Sequence, residues 1–272
     1  MTAPISDFYE FMRLIENADL KLETCQQVIR SLNFGELVKI TDDSGRTPLH
    51  HSASQGNEIA IRILYSLGAD FHAQNANGDT PLHLAAINGH GDAIEWLIDH
   101  GANVHAVNDN GDTPLHLAAR HDHADAITCL IKHDADVYSM SKDGFMPIHL
   151  AVIYDQTNAI DALFMSHVDL AKMNNAGLTP LHMAASIGHT KSIECLLNLV
   201  SDVDVKSEDG FTPLYYAVKN DRRDAMKLLV RRDANVNARS TKNNSDTLLK
   251  MVLDNKDADV AAFLISHGAY TK

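Results

Sequence analysis

Cysteine and tryptophan are scarce in this chain of 272 residues, and long apolar runs are missing. The three cysteines, Cys25, Cys129 and Cys195, are odd in number and form no Cys-x-x-Cys pair, which favours reduced thiols over a disulfide scaffold. No apolar run approaches the roughly 20 residues that a membrane-spanning helix needs. We therefore expect a protein of a reducing compartment, with no membrane partner.

Basic side chains are outnumbered by acidic ones. The chain has 23 Lys and Arg against 36 Asp and Glu, a formal net charge of −13. Such a surface repels phosphate backbones, which excludes nucleic acid as a partner. The opening segment, MTAPISDFYEFMRLIENADL, has neither the basic start nor the apolar centre of a signal peptide. We therefore expect a cytoplasmic location.

Repetition is the most prominent feature of the chain. The nine residues GDTPLHLAA occur at 78–86 and again at 111–119, 33 residues later. The threonine position of this motif is occupied in turn by Thr47, Thr80, Thr113, Met146, Thr179 and Thr212. A degenerate seventh copy starts at Thr247, displaced by two extra residues. A catalytic loop is needed once, whereas a structural unit can be copied as long as the copies stack, so the repetition indicates architecture before chemistry.

The residue types in the motif predict a helix–turn–helix unit followed by a short extended finger. Thr80 suits a helix N-cap because its side chain accepts a backbone hydrogen bond, and Pro81 suits the first helical position, where an N–H would be unpaired anyway. Ala85 lets neighbouring helices approach closely. Gly78 permits the positive φ of a tight finger turn. Apolar residues between these landmarks recur at helical spacing.

This pattern resembles the ankyrin-repeat family, whose 33-residue unit carries the signature T-P-L-H-x-A. The resemblance covers about residues 41–272 and implies an all-α repeat solenoid, a stack of helix-turn-helix units with β-hairpin or finger loops. We assign a degenerate helical N-terminal capping repeat to residues 1–40 and a C-terminal capping repeat to residues 243–272. The six repeats of residues 41–242 are predicted at about 43–75, 76–108, 109–141, 142–174, 175–207 and 208–242.

The resemblance also implies a function. It predicts a non-enzymatic scaffold that binds another protein. The contact is expected on the concave face, which is lined by the finger tips and the first helix of each unit. We expect the protein to be monomeric. An adaptor, or a secreted effector acting in the cytosol of a host, is the alternative within the binding proteins. A small enzyme with an unrecognised site near His121, His123 and Asp155 is the alternative from another class.

Histidine is abundant, with 16 residues, and raises the question of a metal site. Five of these side chains belong to the TPLH signature, and the resemblance implies that they tie neighbouring repeats together: His50, His83, His116, His149 and His182. The pair His121 and His123 has no further ligand at the usual metal-site spacing. The chain also lacks G-x-S-x-G, Walker and H-E-x-x-H motifs. We therefore expect no catalytic residue, no metal and no cofactor.

Two groups of residues are candidates for contacting the partner. The first, which we call the apolar strip, comprises Phe145, Tyr154, Leu178, Ile187 and Phe211, rimmed by Lys142, Asn175 and Glu208. Exposed apolar patches with polar rims often mark interfaces. The alternative is that these side chains only cover their neighbours in the stack. The second group, Arg120 and His121, is expected between acidic fingers at Asp79, Asp109 and Asp112.

One asparagine is a candidate for modification. Asn237, in the stretch LVRRDANVNA and eight residues after Leu229, resembles the finger asparagines that some ankyrin repeats offer to an asparaginyl hydroxylase. We therefore predict Asn237 as a hydroxylation site.

Overall fold

The computed structural model describes residues 12–13, 38–239 and 247–271. The predicted N-terminal capping repeat at 1–40 lies almost entirely outside the described residues, and residues 240–246, where the sixth repeat meets the predicted C-terminal capping repeat, also lie outside them. The chain divides into two compact units, residues 1–142 and 143–272. Across the described residues, no helix combines the length and the apolarity that crossing a bilayer requires.

The first unit contains three described helix pairs. Their helices are α1 Pro48–Gln55, α2 Glu58–Ser66, α3 Pro81–Ile87, α4 Gly91–Asp99, α5 Pro114–Arg120 and α6 Ala124–Lys132. The first helices α1, α3 and α5 pack side by side, and the second helices α2, α4 and α6 form a parallel row behind them. Leu82, Ala85 and Ile94 are fully buried between the rows. The alanines at these contacts allow the close approach that the sequence predicts.

The second unit has the same kind of internal arrangement, with eight helices among its described residues. They are α7 Pro147–Ile153, α8 Thr157–Met165, α9 Pro180–Ile187, α10 Thr190–Leu199, α11 Pro213–Lys219, α12 Arg223–Arg231, α13 Leu248–Asp254 and α14 Ala258–Ser266. The first helices α7, α9, α11 and α13 are consecutive neighbours, and α8, α10 and α12 pack along a second row. The helical repeat pattern predicted from the sequence is thus confirmed.

Most first helices begin with the extended threonine and the proline that the motif predicts. Thr113 lies in the extended conformation (φ −84°, ψ 167°), its hydroxyl accepts from the His116 backbone N–H, and Pro114 follows at the first helical position. Met146 replaces the threonine before α7 but keeps the same backbone angles (φ −84°, ψ 165°). The helix start therefore survives loss of the capping hydroxyl, because proline and the packing of the neighbouring helices also fix it.

The fingers are tight turns stabilised by one side chain each, and no β-strand occurs among the residues whose structure is described. Asn75 Oδ1 accepts from the backbone N–H groups of Asn77 and Asp79, at 2.9 and 3.0 Å. Asp42, Asn108 and Asn174 make the same pair of bonds in their own fingers. Successive tips are joined by a single backbone bond, as from Asp109 N to Asn77 O (3.0 Å). The fingers are therefore held in register one against the next.

The finger glycine Gly78 is required both by its backbone angle and by its neighbour. Its φ is +74°, and an added Cβ would lie 2.7 Å from the backbone nitrogen of Asp109. We expect Gly78→Ala to lower the free energy of unfolding by about 2–3 kcal/mol. Gly68 is the matched control, because it also has a positive φ (+81°) but has no atom within 4 Å of an added Cβ. Gly68→Ala is expected to cost about 1 kcal/mol in urea denaturation, and equal losses for the two variants would contradict the close-approach explanation.

Candidate partner-binding site

The signature histidines use one ring nitrogen within their own repeat and the other to reach the next repeat. His50 Nδ1 accepts from the Thr47 backbone N–H at 3.0 Å. Because an N–H only donates, Nδ1 is unprotonated, and Nε2 carries the proton that it donates to the Asp79 carbonyl of the next repeat, 2.9 Å away. His83 makes the same link to the Asp112 carbonyl at 3.0 Å. The structural role implied by the family resemblance is therefore confirmed for these residues.

Two further groups of histidines also have structural contacts. Members of the first group donate from Nε2 to a carbonyl of the preceding repeat, at 2.8–3.1 Å: His90, His123 and His189. The second closes the end of a second helix through Nδ1 and the carbonyl four residues earlier, at 2.8 Å: His100, His133 and His267. His51, which has no repeat equivalent, pairs with Asp42 at 2.9 Å. The abundance of histidine thus reflects structural contacts, between repeats and at helix ends, that recur along the chain.

The residues named for the small-enzyme alternative have contacts of the same kind. The His123 ring is held by the Ile87 carbonyl, and the rings of His121 and His123 are 6.4 Å apart. Asp155 accepts hydrogen bonds from the backbone N and the hydroxyl of Ser192, at 3.0 and 2.7 Å. Within the described ranges, no three His, Cys, Asp or Glu side chains are grouped to hold a metal ion.

The apolar strip lies in the second unit at two recurring positions. Phe145, Leu178 and Phe211 each come two residues before the start of a first helix, and Tyr154 and Ile187 lie at the ends of α7 and α9. Because α7, α9 and α11 are consecutive neighbours, equivalent positions on them follow one another along one face. Four of the five side chains are half-buried and Tyr154 is 43% exposed. The strip therefore has both covered and accessible apolar surface.

The backbone of the strip is fixed by the histidine links. The carbonyl of Leu178 accepts from His149 Nε2 at 3.2 Å, and that of Phe211 accepts from His182 Nε2 at 3.0 Å. The amide of Leu178 also donates to Asn174 Oδ1 at 3.0 Å, within its finger. The backbone N–H and C=O of Leu178 are thus both hydrogen-bonded within the protein. Only its side chain is left to contact a partner.

Two tyrosines extend the strip and were missed in the sequence. The ring of Tyr215 stacks on Phe211, with centroids 3.9 Å apart, and Tyr216 packs edge-on against Tyr215 at 5.5 Å. Burial raises the pKa of Tyr215, so its hydroxyl stays protonated at neutral pH. The signal was present in TPLYYAV, where tyrosine occupies the histidine position of the signature. The aromatic side chains of the candidate surface therefore number five rather than three, and Phe211, Tyr215 and Tyr216 form one packed group.

The second candidate group lies in the first unit, where the structure brings Arg120 and His121 to one groove with three aspartates. The groove has a volume of about 400 Å³, and its lining includes Asp79, Asp109 and Asp112. Asp79 is 6% exposed and its carboxylate accepts from the side-chain amide of Asn108 at 2.8 Å. Burial, aided by the charge of Arg120, lowers the pKa of His121, so this ring is neutral at pH 7. The groove is polar, in contrast to the strip.

Asn237, the predicted hydroxylation site, bridges to the last described turn. Its Nδ2 donates to the Gly268 carbonyl at 3.0 Å, and its Oδ1 accepts from the Tyr270 N–H at 3.0 Å. The side chain is half-buried. Hydroxylation of Asn237 stays a prediction, and an enzyme would have to open these two bonds to reach the residue.

Both the sequence and the fold of the chain are similar to known proteins. The family model described as "Ankyrin repeats (3 copies)" matches residues 11–108, 101–174 and 148–240. The ankyrin repeat domain of Bcl-3, a member of the IkappaB protein family, is 26% identical with a TM-score of 0.64, over 76% of this chain and 94% of that one. The human ASB11 ankyrin repeat domain is 26% identical with a TM-score of 0.67, over 84% of this chain and 100% of that one.

No curated protein matches the chain. Ankyrin repeats are in general protein–protein interaction modules. Since the family match spans well over half of the sequence and the structural neighbours are ankyrin repeat domains, the chain belongs to the ankyrin-repeat family.

Proposed function

We propose that this protein is a non-enzymatic scaffold that binds a partner protein through the apolar strip of its second unit. The observation that carries the proposal is the alignment of apolar side chains on three neighbouring helices, at positions whose carbonyls are fixed by the signature histidines. A rigid backbone presents these side chains without an ordering cost on binding. An adaptor and an effector in a host cytosol would use this surface in the same way.

Aromatic side chains support the strip as the centre of the interface. Phe211, Tyr215 and Tyr216 pack against each other, so their rings lose little further freedom when a partner covers them. Aromatic residues are enriched among those that dominate binding energy. Asn175 and Glu208 are exposed at the finger tips and supply a polar rim. The net charge of −13 favours a partner whose own rim is basic.

The groove of Arg120 and His121 is the second contact that we propose. It is polar, and one of its aspartates, Asp79, already accepts a hydrogen bond from Asn108 of the next finger. Contacts of that kind contribute to specificity and to the rate of association more than to affinity. The partner's main contact is therefore assigned to the strip.

A charge-insertion variant tests the proposal. In full-length protein carrying Phe145→Glu, Leu178→Glu and Phe211→Glu, affinity capture from a lysate of the native cell is expected to lose the partner that wild type retains. Placing charge in a desolvated contact costs several kcal/mol, so the affinity for the captured partner is expected to fall at least about 100-fold. Far-ultraviolet circular dichroism checks that the helix content is unchanged.

The matched control adds the same three charges on exposed apolar residues outside the strip. Ile59, Met165 and Ile265 are 53%, 75% and 54% exposed, and replacing them by glutamate is expected to leave capture unchanged. Identical partner sets from wild type and from the strip variant would refute the strip as the interface. Loss from both variants would assign the effect to charge rather than to position.

A further inference from the structure

One helix in the second unit ends unlike the others. In the other repeats the second residue after the second helix is left-handed, as at Gly101 (φ 107°), Asp134 (φ 64°) and Asp233 (φ 66°). In the fifth repeat the same place in the 33-residue register is Val200, with φ −107° and ψ 146°. A β-branched residue strongly disfavours the left-handed region, because its two Cβ substituents crowd the backbone there. The chain therefore leaves α10 in an extended conformation.

The changed turn removes a residue from the core. Where the turn is left-handed, the next N–H bonds to the carbonyl five residues earlier, as from Ala102 to Leu97 (2.9 Å) and from Ala234 to Leu229 (3.0 Å). These alanines are 7% and 6% exposed. In the fifth repeat the Leu196 carbonyl instead accepts from Val200 N at 2.8 Å, and Ser201, the counterpart of those alanines, is exposed.

A pocket of about 400 Å³ lies beside this turn and is lined in part by Val200 and Ser201. This is within the range of about 300–1,000 Å³ typical of binding pockets. Its lining is mainly apolar and comes from the fourth and fifth repeats: Phe164, Val168, Leu170, Leu181, Leu199 and Val205. Val168, Leu170 and Leu181 are buried at 4%, 7% and 2% exposure, so the floor belongs to the core of the second unit. None of the strip residues lines this pocket.

Carboxylates stand at the edge of this apolar pocket. Asp169 and Asp202 both line it and both are exposed. Asp204, two residues beyond Asp202, has its pKa raised by burial and also by the charge of Asp202, so the carboxylates of this loop repel one another. A cation placed at the rim would relieve that repulsion and pair with exposed carboxylates. The pocket thus combines an apolar interior with an acidic edge.

We propose that this pocket, which we call the fifth-repeat pocket, receives a large apolar side chain of a partner peptide in which that residue is flanked by Lys or Arg. The apolar side chain replaces the packing that Ser201 no longer supplies, and the flanking cations pair with Asp169 and Asp202. This site is separate from the apolar strip. Its expected occupant is a basic–apolar peptide rather than a second copy of the chain.

The test uses random heptapeptides displayed on phage and sorted on immobilised full-length protein. Wild type is expected to enrich peptides with Phe, Leu, Ile, Met or Trp next to Lys or Arg. The variant Val200→Gly/Ser201→Ala restores the sequence of the other repeats, so we expect it to close the pocket, melt at a higher temperature and bind an enriched peptide at least about tenfold more weakly. Its gain in stability excludes unfolding as the cause of lost binding.

Three further variants locate the effect. Asp134→Gly changes the equivalent turn in the third repeat and is expected to bind as wild type does. Asp169→Asn and Asp202→Asn are each expected to weaken binding about threefold at low salt, as exposed ion pairs do. Methyl resonances of Leu170 and Leu181 are expected to shift when the enriched peptide is added.

The outcomes separate this proposal from its alternatives. Failure to enrich basic–apolar peptides, or equal binding by Val200→Gly/Ser201→Ala, would overturn it. A wild-type dimer that this variant abolishes would assign the pocket to a second copy and would also overturn it. The charged strip variant is expected to keep its affinity for the pocket peptide, so that failure of the strip and failure of the pocket are distinguishable.

Discussion

Replacement of His83 by leucine is expected to lower the free energy of unfolding by about 3 kcal/mol or more. His83 is fully buried, and its Nδ1 accepts from the N–H and the hydroxyl of Thr80, at 3.1 and 2.8 Å. Its Nε2 donates to the Asp112 carbonyl at 3.0 Å. Leucine fills the space but leaves these buried groups without a partner, and each such group costs about 1–3 kcal/mol. The lost stability is that of the contact between two neighbouring repeats, because His83 and Asp112 belong to different repeats.

Urea denaturation measures this loss, and His72→Leu provides the matched control. His72 is exposed, so its replacement by leucine is expected to change stability by no more than about 0.5 kcal/mol. His83→Gln keeps a neutral donor and an acceptor. Its free energy of unfolding is therefore expected to lie between those of His83→Leu and His72→Leu. If His83→Leu were as stable as His72→Leu, the histidine would not be the link between repeats.

Acid is expected to destabilise the protein through the same residues, between pH 6.5 and pH 4. Burial lowers the pKa of His182 to about 4, although the hydrogen bond to the Phe211 carbonyl acts in the opposite direction. Burial also lowers the pKa of His50 and of His83. Protonation would moreover place a hydrogen on Nδ1, which faces the N–H of Thr179 in the case of His182. The native state therefore requires neutral rings.

The direction of the effect follows from the binding of protons. An unfolded histidine titrates near pH 6.5, so below that pH the unfolded chain binds more protons than the native one. The stability contributed by neutral His182 is fully present above pH 6.5 and is lost as the pH falls towards 4. For this residue alone the loss is about 2.5 kcal/mol at pH 4.5.

The measurement compares urea denaturation at pH 7.5 and pH 4.5 in wild type and His182→Gln. Glutamine does not titrate, so the difference between the two pH values is expected to be smaller in the variant by about 2.5 kcal/mol. The absolute stability of the variant does not enter this comparison. An unchanged pH dependence in His182→Gln would show that His182 is not a source of acid sensitivity.

The sequence was sufficient for the architecture because the determinants are local and repeated. A Thr-Pro pair such as Thr113 and Pro114 specifies a helix start in each repeat that has it. Gly78 specifies its turn because it adopts a positive φ. The candidate positions of the strip followed from the 33-residue register alone. Their exposure did not, because whether Leu178 or Ile187 is covered depends on side chains one repeat away.

Two features depended on contacts that the register does not encode. The stacking of Tyr215 on Phe211 joins a helix to the preceding loop, and only the folded geometry shows the 3.9 Å separation of the rings. The pocket beside Val200 arises because one β-branched residue disfavours a left-handed turn, and its consequence appears at Ser201 and in the fourth repeat. Departures from a repeat are visible in sequence, but the space they open is not.

Site-specific photo-crosslinking tests the partner-binding account most directly. Tyr154 of the strip and Tyr65 of α2 have similar exposure, 43% and 46%, so the same photoreactive phenylalanine derivative at either site samples solution equally. Irradiation in a lysate of the native cell is expected to yield a discrete adduct from position 154, absent with the Leu178→Glu background, and none from position 65. No adduct at 154, or the same adduct at both positions, would contradict the strip as the interface.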